Sequence, residues 1–279
     1  RRRKPTARGD FALHLADDGF TSIRHQPSGE IMHSVNDPDL EAERVYVAQS
    51  AHLEHALGGA ARQLVVWDVG LGAAHNAMAL IRAVESAPAA AHILLISFER
   101  DLDALRLALT RTDQFPHVRH AAPHLLAAEG NYRRAALTWT LCPGDFRETF
   151  GSQPRPDVVF YDPFSTRVDG PMWTLALFGR LFAYLDGPTE LFTYSSSTAV
   201  RSSLLAAGFH VARGVASGPK QETTIALTRP DAADFSRHTL LGREWLARRA
   251  RSTARYPADV AKPEEIDRLI AAHPQFYCP

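Results

Sequence analysis

Cysteine is nearly absent from this chain: Cys142 and Cys278 are the only two among 279 residues. That excludes a disulfide framework and the paired spacings of a cysteine zinc site, and it fits a reducing cytoplasm. An excess of one charge is absent too, because 31 Lys and Arg balance 31 Asp and Glu. No whole-molecule field draws in a nucleic acid, so contact with one needs a local basic patch. No apolar run reaches the length of a membrane-spanning helix, and no charged-then-apolar leader opens the chain. Internal repeats and low-complexity linkers are missing. So are the Gly-x-Ser-x-Gly elbow, the P-loop lysine and the Cys-x-x-Cys pair.

What is present is an ordinary globular composition, 45% hydrophobic, enough for a sizeable core. The opening Arg1-Arg2-Arg3-Lys4, without Met, reads as the start of a disordered tail with the true N-terminus processed or missing. The tail is expected to run to residue 28. A strand or hairpin is expected over 29–34 and a helix from Pro38 to about Leu57, capped by Asp37 or Asp39. From residue 63 the pattern alternates. Short apolar runs at 64–69, 92–98, 137–141, 157–162 and 189–195 read as strands buried on both faces. Helical patterns at 75–87, 101–112, 123–129, 171–185 and 198–207 fill the crossovers between them. Two last strands, 209–216 and 221–228, flank Gly218-Pro219-Lys220 and read as an antiparallel pair. The fold class is α/β: a parallel sheet with a C-terminal antiparallel hairpin. Residues 231–279 read as a helical, arginine-rich extension, with helices near 239–251 and ending at Ala272.

The first strand ends in Asp68-Val69-Gly70-Leu71-Gly72, and a helix follows at once. This sets backbone N–H groups and a helix start at the carboxyl end of a strand, where nucleotide-like ligands bind in open α/β sheets. Asp68 would repel a pyrophosphate but tolerate a cation. The turn therefore favours S-adenosylmethionine, with its sulfonium and ammonium, over a dinucleotide; a turn made only for tight packing is the plain alternative.

Other carboxylates fall at the same sheet edge. Glu99 closes the second strand and suits both ribose hydroxyls, or else a helix start. Asp145, after Gly144, suits an adenine amino group or a helix cap equally. Asp162 ends Val158-Val159-Phe160-Tyr161 and precedes Pro163, which biases it to extended backbone. A carboxylate there can orient an amine acceptor and take its proton. His117, His120 and His124 have no acidic or thiol partner at metal-ligand spacing and read as surface loop residues, so no metal is expected. Trp173, Phe178, Leu181 and Phe182 lie at helical spacing and read as core.

Together these residues resemble the methyltransferase module of the bacterial enzymes that complete 5-methylaminomethyl-2-thiouridine at the tRNA wobble position (MnmC-like). The pattern stands here as Asp68, Gly70, Gly72 and Asn76; Ser97, Phe98 and Glu99; Gly144 and Asp145; Asp162 and Phe164, with Pro171-Met172-Trp173 nearby. Thr193, Val200-Arg201 and Lys220 extend the similarity, which runs from about 29 to 228. It implies a class I (Rossmann-like) methyltransferase fold over 29–230, S-adenosylmethionine as donor, and methylation of a 5-aminomethyl group on tRNA uridine in the cytoplasm. By position it implies that Asp162 is catalytic, and that Asp68, Gly70, Gly72, Asn76, Glu99 and Asp145 bind the donor. Phe164, Arg201 and Lys220 are implied to bind substrate, with Arg201, Lys220 and the C-terminal arginines meeting tRNA phosphates. Three features depart from the pattern, the first being Pro163-Phe164-Ser165-Thr166 where Gly-Phe-Ala-Pro usually follows the acid. Ala73-Ala74 replaces Thr-Gly in the turn, and no flavin-type Gly-x-Gly-x-x-Gly follows residue 230, so only the methylation half is expected. The alternatives are a methyltransferase for a small amine metabolite and a non-catalytic binding protein on the same fold.

Overall fold

The computed structural model describes residues 4–17, 19–32, 37–59, 62–217, 222–232 and 235–277. Its centre is an eight-stranded sheet in the order β10-β11-β9-β8-β4-β5-β7-β6. The strands are β4 (Leu64–Val69), β5 (Ile93–Glu99), β6 (Asn131–Arg134), β7 (Leu137–Pro143), β8 (Val158–Tyr161), β9 (Glu190–Thr193), β10 (His210–Gly214) and β11 (Thr223–Leu227). The inner five, β9-β8-β4-β5-β7, are parallel. β11 inserts antiparallel between β9 and β10, so the closing hairpin is as expected from the sequence. This is the Rossmann-like class I layout. The chain leaves β4 to one side for β5 and β7 and returns to the other side for β8 and β9. That reversal opens a crevice beyond the carboxyl ends of β4 and β8.

Each face of the sheet carries helices over its own core. One face gathers α1 (Pro38–Ala42), α2 (Ala51–Leu57), α3 (His75–Ser86), α4 (Asp103–Thr110) and α5 (Ala121–Glu129). The other gathers α6 (Phe146–Thr149), α7 (Leu175–Tyr184), α8 (Thr198–Ala207), α9 (Arg243–Arg251) and α10 (Pro263–Ala271). Trp67 is fully buried in this second core, and Trp173, Phe178 and Leu181 are buried there as their spacing predicts. Trp245, Ile266, Ile270 and Phe276 of the extension join them, so that segment is packed onto the sheet.

Three features differ from the sequence reading. The segment expected as a tail to residue 28 carries β1 (Ala7–Arg8), β2 (Phe11–Leu15) and β3 (Thr21–His25), a three-stranded antiparallel sheet anchored by buried Phe11 and Ile23. Of the strand expected at 29–34, Ile31 makes one bridge to Arg24, while His33 and Ser34 lie outside the described residues. The single helix expected over 38–57 is broken. Asp37 caps α1 through Asp39 N and Leu40 N, a π-helical turn spans Glu43–Val47, and Ser50 caps α2. The wider π turn carries Tyr46, which is buried and lines the crevice.

Candidate active site

The crevice is a cleft of about 560 Å³ at the carboxyl edge of the sheet. Its floor is the turn after β4. Gly70 has φ +90°, and a Cβ there would sit 2.6 Å from the backbone oxygen of Asp162. Only glycine lets the ends of β4 and β8 approach so closely. Ala74 then takes the left-handed conformation, φ 67°, ψ 25°, and opens α3. The alanine thus keeps the backbone shape that glycine would adopt without strain, at a cost of about 1 kcal/mol.

Glu99 closes the turn from the side. Its Oε2 accepts from Gly72 N at 3.2 Å, and its Oε1 accepts from Arg100 N at 2.9 Å and Asp101 N at 3.0 Å. Burial pushes its carboxyl up while these amides pull it back, with a net rise. It lines the cleft with Gly70, Gly72 and Asn76. Asn76, in the first turn of α3, donates from Nδ2 to Asp162 Oδ2 at 2.7 Å. Asp162 N donates to Val69 O at 2.9 Å, which pins the acid to the end of β4. Tyr46 and Tyr194 stand over the acid. Burial pushes both phenols up, and the Asp162 charge adds to the effect. Phe164 lines the cleft, and its backbone oxygen accepts from Trp173 Nε1 at 2.7 Å.

The wall opposite comes from the N-terminal sheet and the segment that follows it: Phe11, His25, Glu30 and Met32 line the cleft. Glu30 fastens this wall to the loop after Asp162, accepting from Ser165 N at 2.8 Å and from Ser165 Oγ at 2.5 Å. Nothing in the sequence pattern of residues 7–32 pointed to this role. The cleft is acidic. Asp10, Glu30, Glu41, Asp162 and Asp169 face it, and Arg100 and Arg147 are the guanidinium groups among its lining. Such a site favours cations over phosphates.

Four residues sit otherwise than expected. Asp68 is fully buried and lies outside the cleft lining, beneath the turn. Its Oδ2 accepts from Ser97 Oγ at 2.7 Å, Ser97 Oγ accepts from Trp139 Nε1 at 2.8 Å, and its Oδ1 has no hydrogen-bond donor among the described residues. Burial pushes its carboxyl up to about 7, and the Asp162 and Glu99 charges assist. Asp145 lines the cleft, but in place of the implied adenine contact it takes the helix-cap role the sequence equally allowed: it caps α6, and both its oxygens are taken by Arg147, which holds its carboxyl below the usual range. Arg201 cannot meet a phosphate. It is 0% exposed and donates to Thr224 Oγ1, Glu222 Oε1 and Thr223 O, all within 2.9 Å. It ties α8 to the closing hairpin. Among the C-terminal arginines, Arg249 is buried on Ser202 and Asp267, and Arg248 pairs with Glu222. Lys220 lies outside the described residues. The fourth departure is His117, expected on a surface loop but buried behind the turn, with Nε2 on Ala73 O at 2.8 Å.

The cleft suits S-adenosylmethionine. Its floor presents a glycine turn and a helix start, its side presents the Glu99 carboxylate, and its acidic lining suits a ligand that carries a sulfonium and an ammonium. No helix among the described residues is long and apolar enough to cross a membrane.

Residues 113–229 match a family described as S-adenosyl-L-methionine-dependent methyltransferase. The tRNA 5-methylaminomethyl-2-thiouridine biosynthesis bifunctional protein MnmC of Ectopseudomonas mendocina is 29% identical over 195 residues, covering 65% of this chain and 30% of that protein. MnmC of Stutzerimonas stutzeri is 27% identical over 256 residues, covering 86% and 37%. The chain thus spans about a third of the length of the curated relatives it matches. Among solved structures, MnmC2 from Aquifex aeolicus aligns with a TM-score of 0.70 and 22% identity, over 98% of this chain and 87% of that one.

Proposed function

We propose that this S-adenosyl-L-methionine-dependent methyltransferase methylates the primary amine of a 5-aminomethyl group on the wobble uridine of tRNA. The observation that carries the reading is Asp162, held by Asn76 at the end of β8 and facing an acidic cleft beside the donor turn. The names of the relatives supply the acceptor, and residues 29–230 supply the catalytic domain, with 231–279 as its buttress.

The donor, when bound, supplies an electrophilic methyl group on a positively charged sulfur. The chain then has three tasks. Gly70, Gly72 and Glu99 hold the donor in one orientation. Asp162 would accept a hydrogen bond from the acceptor amine and so orient its lone pair within the cleft. Transfer would leave an N-methylated ammonium beside Asp162 and the donor as a neutral thioether. The new ammonium gives its surplus proton to Asp162, which passes it to water. Because a carboxylate also favours the unreactive ammonium form of the acceptor, most of the acceleration comes from proximity and alignment. Tyr46, Tyr194 and Phe164 give the amine an apolar and aromatic surround, which limits water.

Arg201 favours a second reading. Its burial removes an expected phosphate contact, and the acidic cleft would accept a small amine metabolite as readily. The test uses labelled donor and tRNA from cells arrested at the aminomethyl stage. Label mapped to the wobble uridine by nucleoside mass spectrometry supports the tRNA reading. Donor binding without label in tRNA moves the acceptor to a small amine. A tRNA substrate also puts the enzyme in the cytoplasm.

A further inference from the structure

Behind the donor turn, three side chains that the reaction above does not use converge. Asp39 lies in the first turn of α1, His75 opens α3, and His117 sits in the 3₁₀ turn Pro116–Arg119. His75 Nδ1 is 3.0 Å from Asp39 Oδ1, and His117 Nδ1 is 3.9 Å from that same oxygen. One ligand-capable atom from each lies within 4.8 Å of the other two, the one such cluster among the described residues. Both imidazoles are buried, whereas the Asp39 side chain is 32% exposed and leaves a path from solvent. His117 Nε2 donates to Ala73 O at 2.8 Å, which fixes the tautomer and turns the Nδ1 lone pair toward Asp39.

We propose that Asp39, His75 and His117 bind a divalent transition metal of the zinc class, which braces the donor turn against α1 and the 116–119 turn. Donor atoms around tetrahedral zinc are about 3.3 Å apart, and the 3.0 and 3.9 Å separations here bracket that value. Two imidazoles and one carboxylate select zinc, cobalt or nickel over magnesium or calcium. Coordination through His75 Nδ1 needs that nitrogen's lone pair: a protonated ring gives its Nδ1 proton to solvent, and a neutral ring shifts it to Nε2, so in either case the metal is bound by a neutral imidazole. Arg82 Nη2, 3.6 Å from Asp39 Oδ1 and on a half-exposed side chain, moves to solvent or to the other carboxylate oxygen.

The test takes the whole chain, stripped with a chelator and dialysed, and titrates it with Zn²⁺ and with Co²⁺. Stoichiometric calorimetric binding, a rise of several degrees in Tm and the intense visible spectrum of tetrahedral Co²⁺ are expected. Asp39→Asn and His117→Ala should abolish all three, while His124→Ala, outside the cluster, should keep them. Absence of binding in the wild-type chain overturns the proposal, and so does binding that survives in both cluster variants. Should those variants fail to fold, the wild-type Co²⁺ spectrum decides. A tetrahedral spectrum displaced by Zn²⁺ supports the site, and a weak octahedral one overturns it. None of these readouts needs the methyl acceptor, so the outcome is separable from the proposed reaction.

Discussion

Asn76 Nδ2 lies 2.7 Å from Asp162 Oδ2 and joins α3, which starts at the turn after β4, to the acid at the end of β8. One side chain therefore sets the position of the other. Asp162→Ala should keep donor affinity within a few-fold and lower methyl transfer by about 10²-fold or more. Asn76→Ala should give a smaller loss of the same kind, because the acid remains but its orientation is released. Single-turnover transfer alongside donor calorimetry checks both. Near wild-type turnover in Asp162→Ala would remove it from the mechanism.

Glu99 accepts from three backbone amides across two segments. Glu99→Ala leaves those donors without their acceptor and, on the proposed reading, takes away the carboxylate that would bind the donor's ribose. Donor affinity should weaken by roughly 1–3 kcal/mol, whereas Glu99→Gln should fall between this and the wild type. Calorimetry with S-adenosylmethionine measures it, and unchanged affinity in Glu99→Ala would refute the ribose role.

The turn itself offers a pair with opposite signs. Ala74 is strained at φ 67°, so Ala74→Gly should raise stability by up to about 1 kcal/mol, after allowing for the added freedom of the unfolded chain. Gly70→Ala has no room, with Asp162 O at 2.6 Å, and should lower stability by roughly 1–3 kcal/mol while displacing Asp162. Denaturant titration of both variants gives the signs directly.

Asp68 provides a pH signature. Its carboxyl stands at about 7 in the fold against an ordinary 3.8. Below the ordinary value the neutral group contributes its full stabilisation. As pH rises, the unfolded chain ionises first, and the contribution is lost up to about 7. Asp68→Asn cannot ionise, so it should gain on the wild type across that window, by on the order of 1–4 kcal/mol. Denaturation of both proteins over this range tests it, and parallel profiles would mean that Asp68 is already charged in the fold. His273, which burial lowers to about 4, acts in the opposite sense in the wild type, so the difference between the two proteins is the quantity to read.

The central sheet was legible because strands buried on both faces read as apolar runs closed by turn residues. Asp162 and Glu99 were legible because a lone carboxylate after such a run must fall at the sheet edge. The N-terminal wall was not, since β2 and β3 bury only a few side chains and their polar residues outnumber Phe11 and Ile23. Strand β6, Asn131–Arg134, is a polar edge whose tyrosine alone is buried. The break at Glu43–Val47 contains no glycine or proline to announce it. Arg201 misled because an arginine reads as surface. Its partners lie 21 to 23 residues on, in a hairpin whose packing only the fold reveals. His75, His117 and Asp39 share no sequence spacing, so the cluster exists only in three dimensions.

The bond from Glu30 to Ser165 spans 135 residues. Loop closure of that length is slow, and the bond cannot form until the chain has been made through β4 to β8 and on to Ser165. The N-terminal wall therefore folds over the cleft only once the strands that carry the donor turn and Asp162 exist. Strands β1 to β3 wait for the site they complete.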